Sequence, residues 1–163
     1  MSNPLYETMF GKYAGHSTTF LNLLDGKTIS HDSFIRMAGR SANALSEMGL
    51  AVGDRVAVQV DKCPEALAIY AACVQSGLVY LPLQSAYIPA EGSYFIEHSG
   101  AKLFICQSAK EAGLVAVAEK SGALLETFNA DGTGSFTELT RNKDDSFKTV
   151  ERDGEDLVAL LYT

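Results

Sequence analysis

Apolar residues recur along this chain in two alternating rhythms. From Phe34 they stand at Phe34, Met37, Ala38, Ala42 and Leu45, the three-and-four spacing of an amphipathic helix. Ser30 lies just before that segment, where its hydroxyl can accept from an N–H of the first turn. Gly49 follows it, and a glycine just past a helix takes the left-handed conformation that ends the helix at little cost. The same mark returns at Gly77, Gly100 and Gly122, at intervals of 28, 23 and 22 residues. After each comes a short apolar run: Val56-Ala57-Val58-Gln59-Val60, Leu78 to Leu83, Leu103 to Cys106, and Leu124-Leu125. These runs are predicted strands, and the intervals suit one strand plus one helical crossover.

Two of the intervening helical segments begin with proline, at Pro64 and Pro89, where a missing N–H removes no helical hydrogen bond. Strands alternating with helices predict an α/β fold, a mostly parallel sheet with helices on both faces. Strands with little polar alternation fit burial on both sides. The competing arrangement is an all-helical bundle, because short apolar runs can also be buried helix. Residues 1–30 read differently, as a short helix over Leu5 to Tyr13 and a hairpin in TTFLNLLDGKTIS that turns at Asp25-Gly26. Residues 31–163 carry the alternating units, and no linker long enough to divide the chain occurs. Near the end, NADGTGS reads as a flexible loop, FTEL as a short turn, and DLVALLYT as a buried strand of central type.

Composition narrows the function. The chain has 163 residues, 47% hydrophobic and 20% charged, which suits one globular unit. Its formal net charge is −7, and Asp144, Asp145, Glu151, Asp153, Glu155 and Asp156 crowd one region that reads as a solvated loop. An acidic chain without a basic stripe is repelled by phosphate backbones, which sets aside nucleic acid and anionic membranes as partners. MSNPLYETMFGKY lacks the pattern of a secretory leader and no run reaches the roughly 18 apolar residues of a membrane span, so a cytoplasmic location is expected. Cys63, Cys73 and Cys106 are odd in number and far apart, which reads as buried thiols in a reducing compartment. His16, His31 and His98 form no i, i+4 pair, and no metal site is expected.

Recognisable catalytic motifs are scarce. No Walker-type, dinucleotide-binding, nucleophile-elbow or zinc-helix pattern occurs. NADGTGS is rich in glycine but shows no clear passage from strand to helix, so a mobile loop is preferred to a phosphate cradle. Asp144-Asp145 reads as solvent-facing, too wet for acid–base work. Lys62 and Lys110 read as surface charges, and Lys120 as a cation favoured in the last turn of its helix. Gln84 and Ser85, in LQSAY, follow a predicted parallel strand; ligands gather outside the carboxyl ends of such strands, although a plain turn role competes.

The stretch GDRVAVQVDKCPEALAIYAACVQSGLVYLPLQSAYIPAEGSYFIEHSGAKLFIC resembles the N-terminal region of the adenylate-forming superfamily, which holds acyl-CoA synthetases, luciferases and the adenylation domains of peptide synthetases. DLVALLYT is similar to the lead-in of that family's phosphate-binding signature. Within the superfamily, VYLPLQSAY, EGSYFIEHS and LLETFNADGTGSFTEL most resemble the malonyl-CoA synthetases. One departure is Cys63 before Pro64, where the family usually has serine or threonine; losing such a cap costs about 0.5–2 kcal/mol.

The resemblance covers almost the whole chain but only about the first third of such an enzyme. It implies an AMP-forming acid:CoA ligase that uses ATP, Mg2+ and coenzyme A, with a small carboxylate as substrate and the remainder of its own chain as partner. It also implies that the phosphate loop and catalytic lysine lie downstream, so that no catalytic residue is expected here and the chain alone is expected to be inactive. Thr163 would open the phosphate-loop signature at the edge of the ATP site, and Gln84, Ser85 and Lys110 would lie toward coenzyme A. The alternatives are a ligase for a fatty or aromatic acid, a flavodoxin-like nucleotide- or protein-binding module, and an assembly piece that pairs its last strand with another chain.

Overall fold

The glycine-punctuated units become four parallel strands in the order β4-β3-β5-β6. The computed structural model describes residues 3–162. Within them lie α1 (Pro4–Met9), a 3-10 turn (Gly11–Tyr13), β1 (Thr19–Asn22), β2 (Thr28–Ser30), α2 (His31–Glu47), β3 (Arg55–Gln59) and α3 (Pro64–Ser76). They continue as β4 (Val79–Pro82), α4 (Pro89–Ser99), β5 (Leu103–Cys106), α5 (Ser108–Ser121), β6 (Leu124–Thr127) and α6 (Ser135–Arg141). The all-helical alternative is thereby excluded. Ser30 caps α2 by accepting from Ser33 N at 3.1 Å, whereas Cys63 caps α3 without a side-chain bond. Gly77 ends α3 at φ 72°, and its left-handed turn lets Leu78 N reach Cys73 O at 2.9 Å.

Strand alternation sorts the side chains into two cores. Val56, Val58, Leu103 and Ile105 face α2, α3 and α6, where they meet Leu45, Ile69, Phe128 and Phe136. Ala57, Leu81, Phe104 and Cys106 face α4 and α5, against Ile96 and Leu114. Outside α2 and α3 a third apolar layer forms, in which Tyr6 and Phe10 pack on Phe34, Ala38 and Ala71. The two-stranded hairpin β1-β2 joins that layer through Phe20, Leu21 and Ile29. Residues 3–30 therefore cover the back of the first helical layer.

Three expectations change. FTEL is the body of helix α6, not a turn, because Phe136 is 1% exposed in the first core and that burial offsets the cost of so short a helix. NADGTGS is an ordered strand-to-helix connection: Asn129 N bonds Thr133 O at 2.9 Å, its side chain bonds Ser108, and Ser135 N bonds Thr127 Oγ1 at 2.9 Å. The acidic region is a docked strap rather than a free loop. Asp145 accepts from Arg36 at 3.2 Å and lies 3.5 Å from Arg40, and Asn43 donates to Asp144 O and Ser146 O. Gln75 and Asn3 then take the strap at Phe147 O and Val150 O.

DLVALLYT joins the sheet beyond β4. It lies parallel to β4 through Tyr80 N to Val158 O at 2.9 Å and Leu160 N to Tyr80 O at 3.0 Å, so the predicted direction holds. Among the described residues β4 is its one neighbour, and Leu157 is 48% and Leu161 73% exposed.

A Cβ on Gly39 would stand 2.2 Å from Asp145 O, so the strap touches the bare backbone of α2. Gly39→Ala should therefore destabilise the chain by about 1–3 kcal/mol through overpacking, even though alanine is the better helix former by about 1 kcal/mol. A urea midpoint equal to or above that of the parent would show that the strap is not docked there.

Candidate functional site

The sheet reverses its order between β3 and β5: the chain runs from β3 to β4 on one side, then crosses to β5 on the other. At such a switch the loops leave in opposite directions and open a crevice at the carboxyl ends of the strands. A groove of about 840 Å³ lies to one side of that switch, between the ends of β3 and β4, the start of α3 and the turn between β1 and β2, a size that suits small-molecule ligands. Leu24, Val60, Tyr80, Gln84, Ser85 and Tyr162 are among its walls. Tyr70 meets Tyr80 edge-on with ring centroids 5.3 Å apart, and burial holds the Tyr80 hydroxyl well above its ordinary pKa, so it stays a donor at neutral pH.

One buried polar residue shapes the loop on that rim. Gln59 ends β3 fully buried, and its amide donates to Gln84 O at 3.0 Å and to Tyr87 O at 2.8 Å. Lys110, in the first turn of α5, donates to Ser85 O and to Tyr87 O, the latter at 3.1 Å. The loop's carbonyls are thereby turned inward. The side chains of Gln84 and Ser85 are left exposed on the groove.

The expected site residues thus fall in three places. Gln84 and Ser85 share the groove, while Lys110 stands behind their loop as its anchor, half-buried rather than a free surface charge. Thr163 lies outside the described residues; its neighbour Tyr162 lines the groove, with its Oη 2.8 Å from His98 Nδ1. Lys120 makes an exposed pair with Glu97 at 3.3 Å, a contact of small energy. Lys62 is exposed on the groove wall. Among the described residues no group of three His, Cys, Asp or Glu side chains converges.

Two contacts of consequence left little trace in the sequence. Gln59 was visible as the polar letter in an otherwise apolar run, yet which loop it would serve depends on the crossover through α3. The meeting of His98 and Tyr162 joins positions 64 residues apart and left no local signal. The thiols behave as a buried set only in part: Cys73 and Cys106 are fully buried, whereas Cys63 is half-buried. Desolvation pushes all three upward, Cys106 to about 11 with Glu111 adding to the effect. They are protonated and poorly nucleophilic at neutral pH.

Comparison with known proteins places this geometry. Residues 12–163 match the sequence profile of the family described as AMP-binding enzyme. The fatty acid–acyl-carrier-protein ligase ScoC of Streptomyces coeruleorubidus is 29% identical over 167 aligned positions, covering 100% of this chain and 32% of that protein. The crotonobetaine/carnitine–CoA ligase of Escherichia fergusonii is 26% identical over 94 positions, 56% of this chain and 18% of that protein. Among solved structures, apo MatB from Rhodopseudomonas palustris superposes with a TM-score of 0.94 at 40% identity, over 100% of this chain and 32% of its own. Its ATP-bound form gives 0.95. The chain spans about a third of the length of ScoC and of MatB.

Two outcomes follow from the site. Gln59→Ala removes both loop bonds and leaves a void, which should lower stability by about 1–3 kcal/mol and make residues 84–88 the first point of cleavage in limited proteolysis; an unchanged midpoint and cleavage pattern would contradict the anchoring. At high pH the folded chain keeps the Cys106 proton that the unfolded chain loses, so stability falls as pH rises from the ordinary thiol value of 9.0 toward about 11. Cys106→Ala should flatten the slope of unfolding free energy against pH in that window.

Proposed function

The chain belongs to the family of AMP-binding enzymes, and from that premise we propose that it forms the N-terminal portion of an ATP-dependent acid:CoA ligase resembling malonyl-CoA synthetase. The observation that carries this reading is the likeness to MatB at 40% identity along the whole of this chain, in both the apo and the ATP-bound form. In the proposed reaction the acid's carboxylate attacks the α-phosphorus of ATP and pyrophosphate leaves. The thiol of coenzyme A then attacks the acyl carbon of the adenylate and AMP leaves. Adenylation turns a poor leaving oxide into a good one, and the protein's part is alignment and charge neutralisation.

This chain's residues supply walls and supports rather than the reacting groups. The groove at the carboxyl ends of β3 and β4 would form one side of the ligand crevice. Thr163 would begin the loop around the ATP phosphates, with Gln84 and Ser85 toward coenzyme A and Lys110 holding their loop in place. Mg2+ would accompany the phosphates; the described residues offer it no convergent ligand set, so no step through the metal is assigned to them. Malonate is the proposed acid on the strength of the resemblance, with fatty and aromatic acids as competitors, because the relatives' names span several acids. No described helix is long and apolar enough to cross a membrane, and a cytoplasmic location suits three unpaired cysteines.

The test joins residues 1–163 to the remaining two thirds of MatB and compares that fusion with the 163-residue chain. Pyrophosphate release from ATP is measured with malonate, methylmalonate, acetate and an aromatic acid. The fusion should release pyrophosphate with malonate and the chain alone should not. Adenylate formation by the chain alone, or a folded fusion with no activity, would overturn the reading, and saturable ATP binding by the chain alone would favour a self-sufficient nucleotide-binding module.

A further inference from the structure

Aspartate is followed by glycine at Asp25-Gly26, Asp131-Gly132 and Asp153-Gly154. All three aspartates are exposed, and each folds its carboxyl back over the backbone in the same way. Asp25 Oδ1 accepts from Lys27 N at 3.0 Å, Asp131 Oδ1 from Thr133 N at 3.0 Å and Asp153 Oδ1 from Glu155 N at 3.1 Å. A bond from a side chain to the amide two residues on closes a ring that contains the glycine nitrogen, so in all three the carboxyl is turned toward the same short stretch of chain.

This arrangement leads to isoaspartate. The glycine nitrogen attacks the carbon of the protonated carboxyl, the hydroxyl leaves with the nitrogen's proton as water, and a succinimide ring remains. Water then adds to the main-chain carbonyl carbon of the ring, the bond from that carbon to nitrogen breaks, and the backbone runs on through the former side chain. One water leaves and one enters, and no oxidant or cofactor takes part. Glycine permits the attack best because it has no Cβ to crowd it.

The three pairs differ in the nucleophile. Gly26 N donates to Leu23 O at 3.0 Å and Gly132 N to Asn129 O at 3.1 Å, and each must give up that bond before it can attack. Among the described residues Gly154 N has no such acceptor. The two competing carboxyls are also held below the usual carboxylate range, Asp25 by the Lys27 amide and ammonium and Asp131 by the Thr133 hydroxyl and amide, which leaves less of the protonated form that reacts.

Asp153 also lies between two fixed points. Val150 N donates to Gln75 O at 2.9 Å, which ties it to α3, and Val158 O accepts from Tyr80 N at 2.9 Å, which ties it to β4. Between them a closed turn sets the length of chain, with Asp156 N on Asp153 O at 3.2 Å and Asp153 N on Asp156 Oδ2 at 2.7 Å. Isoaspartate adds one carbon to the backbone there and makes Asp153 O part of a free carboxylate, so the turn opens and the last segment gains slack.

We propose that Asp153 is a modification site, the aspartate that converts to isoaspartate in the folded chain, and that the conversion loosens residues 157–160 from β4. The 163-residue chain is aged at neutral pH, folded and in parallel in urea. Isoaspartate is counted by methyl transfer from S-adenosylmethionine with an isoaspartyl O-methyltransferase and located by peptide mass spectrometry. In the folded chain Asp153 should carry roughly two- to tenfold more than Asp25 or Asp131, the effect on a rate of one net hydrogen bond, and in urea the three should converge. Gly154→Ala should slow the conversion several-fold while the urea midpoint holds or rises, since a Cβ there meets open space and Gly154 is not among the glycines with positive φ. In aged chains the amides of Tyr80 and Leu160 should exchange faster than in fresh ones. No conversion at Asp153, or as much at Asp25 or Asp131 in the folded chain, would overturn the assignment. The same ranking in urea, or a Gly154→Ala chain that converts as fast as its parent, would overturn it too. Unchanged exchange at Tyr80 and Leu160 in chains that carry isoaspartate at 153 would overturn the loosening.

Discussion

Strands β3 and β5 have no face left for water. Val56, Val58, Leu103 and Ile105 on one side and Ala57, Phe104 and Cys106 on the other are all 0–2% exposed, and each large side chain so buried contributes about 1.5–3 kcal/mol. Satisfying both faces at once requires two helical layers, and a parallel sheet provides them because each crossover lays a helix on one face. The order β4-β3-β5-β6 then fixes where the chain reverses direction across the sheet, and so where a crevice opens.

The rim of the groove is built from polar groups that the core would otherwise reject. A fully buried glutamine costs free energy unless its amide is bonded, and Gln59 satisfies its donor on the two carbonyls that fix the 84–87 loop. Lys110 stands in the first turn of α5, where the helix dipole disfavours a cation, and two carbonyls of the same loop compensate it. Two residues that look misplaced by local rules are thus the ones that shape the site. The edge segment beyond β4 follows the same logic in weaker form, with two backbone bonds and then an aromatic clamp on Tyr162.

The strap across α2 shows a different balance. Its charges are half-exposed, and ion pairs such as Arg36–Asp145 contribute little each. What fixes its path is steric and directional: Gly39 admits the Asp145 carbonyl against the helix, and Asn43 binds the carbonyls on either side. A composition rich in aspartate and glutamate announced solvent and gave no hint of a docking register, because that register depends on carbonyl positions and not on side-chain charge.

Periodicity and punctuation determined the strand and helix succession, the caps at Ser30 and Gly77 and the parallel class of the sheet, since these depend on interactions within a few residues. The resemblance in the quoted stretches pointed to the family that the comparison then bore out. FTEL was misjudged because its helix rests on the burial of Phe136 in a distant core. Only the tertiary structure decided that Gln84 and Ser85 face a groove while Lys110 anchors their loop from behind, and that His98 meets Tyr162. Contacts of that kind join residues tens of positions apart, and their geometry is set by how the layers pack rather than by any pattern the chain carries locally.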